Sequence, residues 1–252
     1  MAESPALLPG VASPLDAHSP TSLTSDRSAS MAAYDRLVPA LIPGYASLAR
    51  LAVALLAESP LAAAQGASIL VAGCGTGAEL QEAHAQRPDW RLTGLDPSEA
   101  MLTLARERLG PAVSIDWCCC RVEEVPESLG RFDGALAVLV LQSLPDNGAK
   151  LAFLAALARL LRPGGQLVLV DLMQAERSPL RDQVDRAWQG FQRASGLSGV
   201  SAAGAAGAAL GDAWHPIGTP RLSSLLNAAG FGDPALIFQA LNFAGYLTQR
   251  RA

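Results

Sequence analysis

An α/β fold built on a doubly wound sheet of seven strands is what this sequence predicts, on three observations. From residue 68 onward, short apolar runs alternate with helical segments, the pattern of a parallel sheet covered on both faces. Closely spaced glycines follow the first apolar run, where a strand must turn sharply into a helix. At the far end, Ala235–Ala240 and Phe243–Gln249 are separated by only two residues, which makes them an antiparallel C-terminal hairpin at one edge of the sheet.

From Met1 to about Ser30 the chain is Ser, Pro and Ala without a period, a composition that cannot offset the entropy of ordering, so residues 1–30 are expected to be a flexible tail. Residues 31–252 are expected to form one domain. Its opening part, 31–60, is a helical N-terminal cap: Tyr34 to Leu56 carries apolar residues at helical spacing, broken into two short helices by Pro39 and by the Pro43-Gly44 turn. Strands are predicted over Ser68–Ala72, Arg91–Leu95, Val113–Cys118, Phe132–Val140 and Gly165–Asp171, and helices over Ala78–Gln86, Ser98–Leu109, Asn147–Leu161 and Pro220–Ala229. Residues 174–219 are too long for an ordinary connection and read as a lid insertion, whose middle, Gly196–Gly211, is nearly pure Ala, Gly and Ser.

Composition excludes several classes of function. Half of the 252 residues are hydrophobic, 17% are charged and the net charge is −4, which argues against a phosphate-tracking surface and hence against a nucleic-acid partner. The longest apolar runs, such as Ala135–Leu141, fall well short of the roughly 20 residues of a membrane span. Cys74 and the run Cys118, Cys119 and Cys120 are too few and too bunched for a disulfide scaffold, and the proline-interrupted N-terminus offers no secretory signal. A cytoplasmic protein is expected.

The sharpest local feature is Ile69-Leu70-Val71-Ala72-Gly73-Cys74-Gly75-Thr76-Gly77-Ala78, a strand running into a glycine turn and then a helix. Glycine is required where the backbone turns at positive φ and where a ligand must approach the main chain. About twenty residues later Asp96 ends the next strand, where a carboxylate can accept both hydroxyls of an adenosine ribose. Strand, glycine turn, helix, strand and acid together make a Rossmann-like adenosine site. Gly73-x-Gly75-x-x-Ala78 also satisfies a dinucleotide pattern, so the motif alone leaves the adenosine open.

Val71–Gly77 resembles the first motif of class I S-adenosylmethionine-dependent methyltransferases, and Asp96-Pro97-Ser98-Glu99-Ala100-Met101-Leu102 resembles their acidic second-strand motif. Glu123–Pro126, Leu141–Pro145 and Leu161–Gly165 are similar to the family segments around strands three, four and five. The resemblance implies S-adenosyl-L-methionine as cofactor, held by Gly73, Cys74, Gly75, Gly77, Asp96, Pro97, Arg121, Val122 and Val138. It extends to the carboxy-S-adenosylmethionine synthase branch: Pro43-Gly44-Tyr45 looks like that branch's helix motif, whose tyrosine contacts the cofactor. Arg193–Gly196 and Phe238–Phe243 resemble its lid and last hairpin. Where that branch carries an arginine for the extra carboxylate of its product, this chain has the Ala/Gly stretch near Ala206, so ordinary methyl transfer is favoured over carboxyl transfer. Val71 stands where many members carry an acid near the cofactor's ammonium group, and Arg121 where many carry an aspartate that meets the adenine amine.

Methyl transfer from a sulfonium needs chiefly near-attack geometry and exclusion of water. Ligands of open α/β sheets lie beyond the carboxyl ends of the strands, which nominates Gln142 and Ser143 after strand four and Asp171 at the end of strand five; Gln142 and Asp171 read as catalytic groups, or else as loop-capping and solvated residues. His215, at the close of the insertion, is the third candidate, against a lid histidine bonded to backbone. Trp188, Phe191, Trp214 and Phe243 read either as an apolar substrate wall or as the core on which the lid packs. The cysteine run has no companion to complete a metal site and reads as small buried hydrophobes. The expected activity is methylation of a small metabolite, by a monomer or a homodimer. Carboxy-S-adenosylmethionine synthesis from prephenate and a non-catalytic S-adenosylmethionine-binding module are the alternatives.

Overall fold

The computed structural model describes residues 37–175, 178–197 and 214–252. The tail expected over 1–30 and the Ala/Gly-rich middle of the insertion, Ala206 included, lie outside the described residues. Strands β1 (Ser68–Ala72), β2 (Arg91–Leu95), β3 (Ile115–Cys118), β4 (Phe132–Val138), β5 (Leu161–Leu172), β6 (Ala235–Ala240) and β7 (Phe243–Gln249) form one seven-stranded sheet in the order β3-β2-β1-β4-β5-β7-β6. The β1–β2, β2–β3, β1–β4 and β4–β5 pairs are parallel, and β7 runs antiparallel to both β5 and β6. After β3 the chain returns to the other side of β1, so the order reverses between β1 and β4, where a crevice opens beyond the strand ends.

Strand periodicity explains the two helical layers. Ile69 and Val71 of β1 belong to one apolar cluster and Leu70 and Ala72 to the other, all buried. Helices α1 (Tyr45–Ala57) and α2 (Ala78–Gln86) cover the first face through Leu48, Val53, Leu56 and Leu80, joined by Leu102 of α3 (Glu99–Leu109). On the second face α4 (Ala149–Leu160) contributes Phe153, Leu154 and Leu157. The insertion contains a further helix, α5 (Arg181–Ala194), and ends at α6 (Thr219–Ala229), which adds Leu222 and Leu226 to that second face.

Several boundaries differ from the sequence expectation, each for a local reason. Strand β4 stops at Val138 rather than Val140 because Leu139 turns into the left-handed region at φ 60. Strand β5 starts at Leu161, which pairs with Phe132 before the register breaks across the Pro163-Gly164 turn. Strand β3 begins at Ile115 rather than Val113. Pro39 lies inside a helical stretch, residues 37–41, and does not break it. The Pro43-Gly44 turn does end that stretch, and a Cβ at Gly44 would come within 2.9 Å of the Phe238 ring on β6.

Two tryptophans of the insertion pack inward, while Phe191 stays half-exposed outside the apolar clusters. Trp188 stacks on Trp214 with centroids 6.3 Å apart and meets Phe243 of β7 edge-on at 5.6 Å. Its Nε1–H donates to the Leu41 carbonyl at 2.6 Å, tying the insertion to the cap. Trp188→Ala is therefore expected to destabilise the protein by about 2–3 kcal/mol, the cost of a large, partly buried aromatic, with an unchanged slope of urea unfolding.

Candidate active site

Backbone geometry alone builds the floor of the crevice. Beyond β1 the chain turns through Gly73, Gly75 and Gly77 at φ 68, 50 and 85. A Cβ at Gly73 would lie 2.5 Å from Val140 Cγ2, so this glycine lets the loop after β4 lie against the loop after β1. At Gly75 a Cβ would meet nothing within 4 Å, which leaves open space for a ligand beside the main chain. Cys74 N–H donates to the Leu95 carbonyl at 2.9 Å, and Gly75 N–H donates to Asp96 Oδ2 at 3.0 Å. The other carboxylate oxygen, Oδ1, accepts the Ser98 N–H at 2.9 Å. Asp96 thus fixes both loops to each other while keeping further acceptor capacity, since an ionised carboxylate has about four lone-pair sites.

These residues border a cavity of about 330 Å³, within the usual size range of small-molecule sites. Of the expected cofactor residues, Tyr45, Gly73, Cys74, Gly75, Asp96, Pro97 and Val138 line it. Gly77 stands just behind, at the N-cap of α2. Arg121 and Val122 do not line it: Arg121 is exposed and caps a short turn, its N–H donating to Glu124 Oε2 at 2.9 Å, while Val122 is buried in the second apolar cluster. The cavity also takes in Ser143, nominated after strand four, and Thr76, Glu79, Ser98, Met101, Leu139 and Val140, which the sequence does not single out as cofactor contacts. Met101 and Ser98 belong to the Asp96–Leu102 motif and were within reach of it; Leu139 and Val140 carried no signal.

The catalytic candidates sit behind this cavity. Asp171 is 2% exposed, and its carboxylate accepts the N–H groups of Leu141 (2.6 Å), Gln142 (2.9 Å) and Leu172 (3.0 Å). The Gln142 side chain turns away from the cavity, with Oε1 accepting the Leu172 N–H at 3.0 Å, and its buried Nε2 has no hydrogen-bond partner among the described residues. Lys150 is buried beneath the same loop and donates to the Leu141 carbonyl. Burial lowers its pKa, opposed by the nearby Asp171 and Asp146 charges. His215 N–H donates to the Gln142 carbonyl at 2.7 Å, and the residue borders a second cavity of about 320 Å³ with Asp146, Gln174 and Arg221. Gln142, Asp171 and His215 are therefore neighbours, joined through one loop, but they do not line the glycine-loop cavity.

Cys118, the last residue of β3, and Cys120, beyond the strand end, both pack on the core, and the exposed Cys119 has its Sγ 3.8 Å from the Pro97 carbonyl oxygen. No helix among the described residues is long and apolar enough to cross a membrane.

A methyltransferase-domain family model matches residues 69–165. The carboxy-S-adenosyl-L-methionine synthase of Chromohalobacter salexigens is 30% identical over 234 residues, 88% of this chain and 82% of that one. The chain belongs to the class I S-adenosylmethionine-dependent methyltransferases. This family uses S-adenosylmethionine as its cofactor. The O-methyltransferase cnsE of Penicillium expansum is 34% identical over 122 residues, and this methyltransferase chain spans only 43% of that relative's length. Among solved structures, the 1,6-didemethyltoxoflavin-N1-methyltransferase of Burkholderia thailandensis has a TM-score of 0.57 and 21% identity, covering 96% of this chain and 94% of its own. That likeness shows the fold.

Burial pushes the Asp171 carboxyl from 3.8 up to about 7, against the pull of its N–H donors and Lys150. A carboxyl whose folded pKa is raised binds its proton more tightly in the folded state, so this residue withdraws stability as pH rises from about 4 to about 7. Asp171→Asn leaves one acceptor oxygen for the Leu141, Gln142 and Leu172 N–H groups. It is expected to cost about 2–4 kcal/mol at neutral pH and to flatten the pH dependence of urea unfolding over that window.

Proposed function

We propose that this methyltransferase acts on a small metabolite, with residues 31–252 working as one domain. The observation that carries the reading is the cavity at the β1–β4 switch point. It joins an open glycine loop, a ribose-accepting carboxylate and an apolar wall in a volume suited to a small molecule. The 1,6-didemethyltoxoflavin bound in the B. thailandensis structure supports this substrate class.

When bound, the cofactor supplies a methyl group already activated on its sulfonium. The chain's part is then to hold two molecules in line and keep water out. Gly73 and Gly75 let the ligand reach the main chain, Asp96 accepts the ribose hydroxyls, and Tyr45 of α1 closes the cap side. The segment Val138–Ser143 forms the opposing wall. Gln142, Asp171 and His215 act in this reading as positioning residues that fix that wall and fasten the end of the insertion to it. Lys150, the single lysine of the chain, is buried, and no nucleic-acid or membrane partner is proposed. The four free cysteines suit the reducing cytoplasm, and the reading admits a homodimer.

Calorimetry should show S-adenosylhomocysteine binding that Asp96→Ala weakens by about 1–3 kcal/mol through lost charge-assisted hydrogen bonds. Tighter binding of a nicotinamide dinucleotide would overturn the assignment.

A second reading is favoured by the C. salexigens relative, which matches this chain over most of its length. Incubation with S-adenosylmethionine and prephenate, followed by mass spectrometry, separates the two: only the cofactor's demethylated product is expected, after addition of a metabolite mixture. A carboxylated cofactor would establish the synthase reading. If neither product forms while the cofactor binds, the chain is a binding module.

A further inference from the structure

The family acid that commonly meets the cofactor's ammonium group is absent at Val71, whose side chain is 1% exposed inside an apolar cluster with Ile69 and Leu136. Another carboxylate borders the same cavity. Glu79, the second residue of α2, is 7% exposed and lines the space beside Cys74 and Thr76. Its carboxylate curls back to accept its own backbone N–H at the helix start. The buried Cys74 thiol feels both Asp96 and Glu79, so the two acids flank the glycine loop. An acid in the first turn of a helix is ordinarily an exposed complement to the helix dipole. This one is taken out of water, a costly placement that a cationic group entering the cavity would offset.

We propose that Glu79 receives the α-ammonium group of the cofactor, taking over the role that an acid at position 71 would have had. The inference rests on the S-adenosylmethionine reading of the cavity and divides the ligand between two carboxylates, Asp96 for the ribose and Glu79 for the amino-acid end. The charged and titratable groups around Glu79 are Cys74 from the glycine loop and Arg108 from α3, both electrostatically coupled to it, with Asp96 from the end of β2 and Tyr45 from α1 bordering the same cavity; Arg108 does not line it. On the outer side of α2, Glu82 is engaged by Arg50 of α1. Burial pushes the Glu79 carboxyl up to about 7, so at lower pH it is largely neutral until a cation draws the proton off.

The test compares two ligands that share the adenosine and differ at the other end. S-adenosylhomocysteine carries the ammonium group, and 5′-methylthioadenosine lacks the amino-acid portion. In calorimetry, Glu79→Gln should weaken S-adenosylhomocysteine about tenfold at pH 7.5, as expected for loss of a charge-assisted contact, and leave methylthioadenosine within about twofold. The wild-type advantage over the variant should shrink at pH 6, and the ligand's own titration cancels in that comparison. Equal loss for both ligands, or no loss for either, overturns the proposal. Failure of the wild type to bind either ligand would instead overturn the reading of the cavity, and this inference with it.

Discussion

The Asp171 carboxylate is the interaction on which the shape of the crevice depends. Where β4 ends, the N–H groups of Leu141 and Gln142 have left the ladder and are shielded from water, so each needs an acceptor. Asp171, projecting from β5, supplies one oxygen to each and shares one of them with Leu172. That clamp turns the chain abruptly enough to place Leu139 at positive φ, a conformation costing on the order of 1–3 kcal/mol for a non-glycine residue. It also sets Val140 down on Gly73. Lys150 and Gln142 then fill the space behind, and His215 attaches the end of the insertion to the same loop.

Much of this architecture is legible in the sequence, because its signals are local. The glycine turn needs positive φ at Gly73, Gly75 and Gly77, and each has it. Asp96 lies where a strand-end acid reaches the glycine loop, and the two-residue gap before Phe243 leaves no path but a hairpin. The function of Asp171 is not legible in the same way. An acid at the carboxyl end of a parallel strand reads as facing a ligand, and nothing in the sequence says that the neighbouring loop will present N–H groups to it first. The same limit applies to Arg121 and Val122. Motif correspondence assigned them to the cofactor, while the turn that caps on Glu124 directs one to solvent and the other into the core.

Segments distant in sequence are tied together beside the cavity. The cap turn at Gly44 accommodates Phe238 from the edge strand β6, and Leu41 at the end of the preceding helical stretch accepts the Trp188 indole N–H. Trp188 in turn bridges Trp214 and Phe243. Cap, insertion and hairpin are therefore joined through Trp188 and Phe238. Tyr45 reaches the cavity from the first turn of α1, next to the Gly44 turn.

The apolar residue at position 71 is the other side of this arrangement. Within β1, the side chains of Ile69 and Val71 point into the helical layer formed by α1, α2 and α3, among Leu56, Leu80 and Leu102. A carboxylate at 71 would need solvation or a partner in that layer, at a cost of several kcal/mol if left unpaired. Glu79 meets the same electrostatic requirement from the start of α2, where its own backbone N–H and the positive end of the helix dipole soften the burial. Moving the charge from the strand to the helix start lets β1 pack against an uninterrupted hydrocarbon layer and keeps an acid beside the glycine loop. The sheet and the site can then be stabilised by different residues.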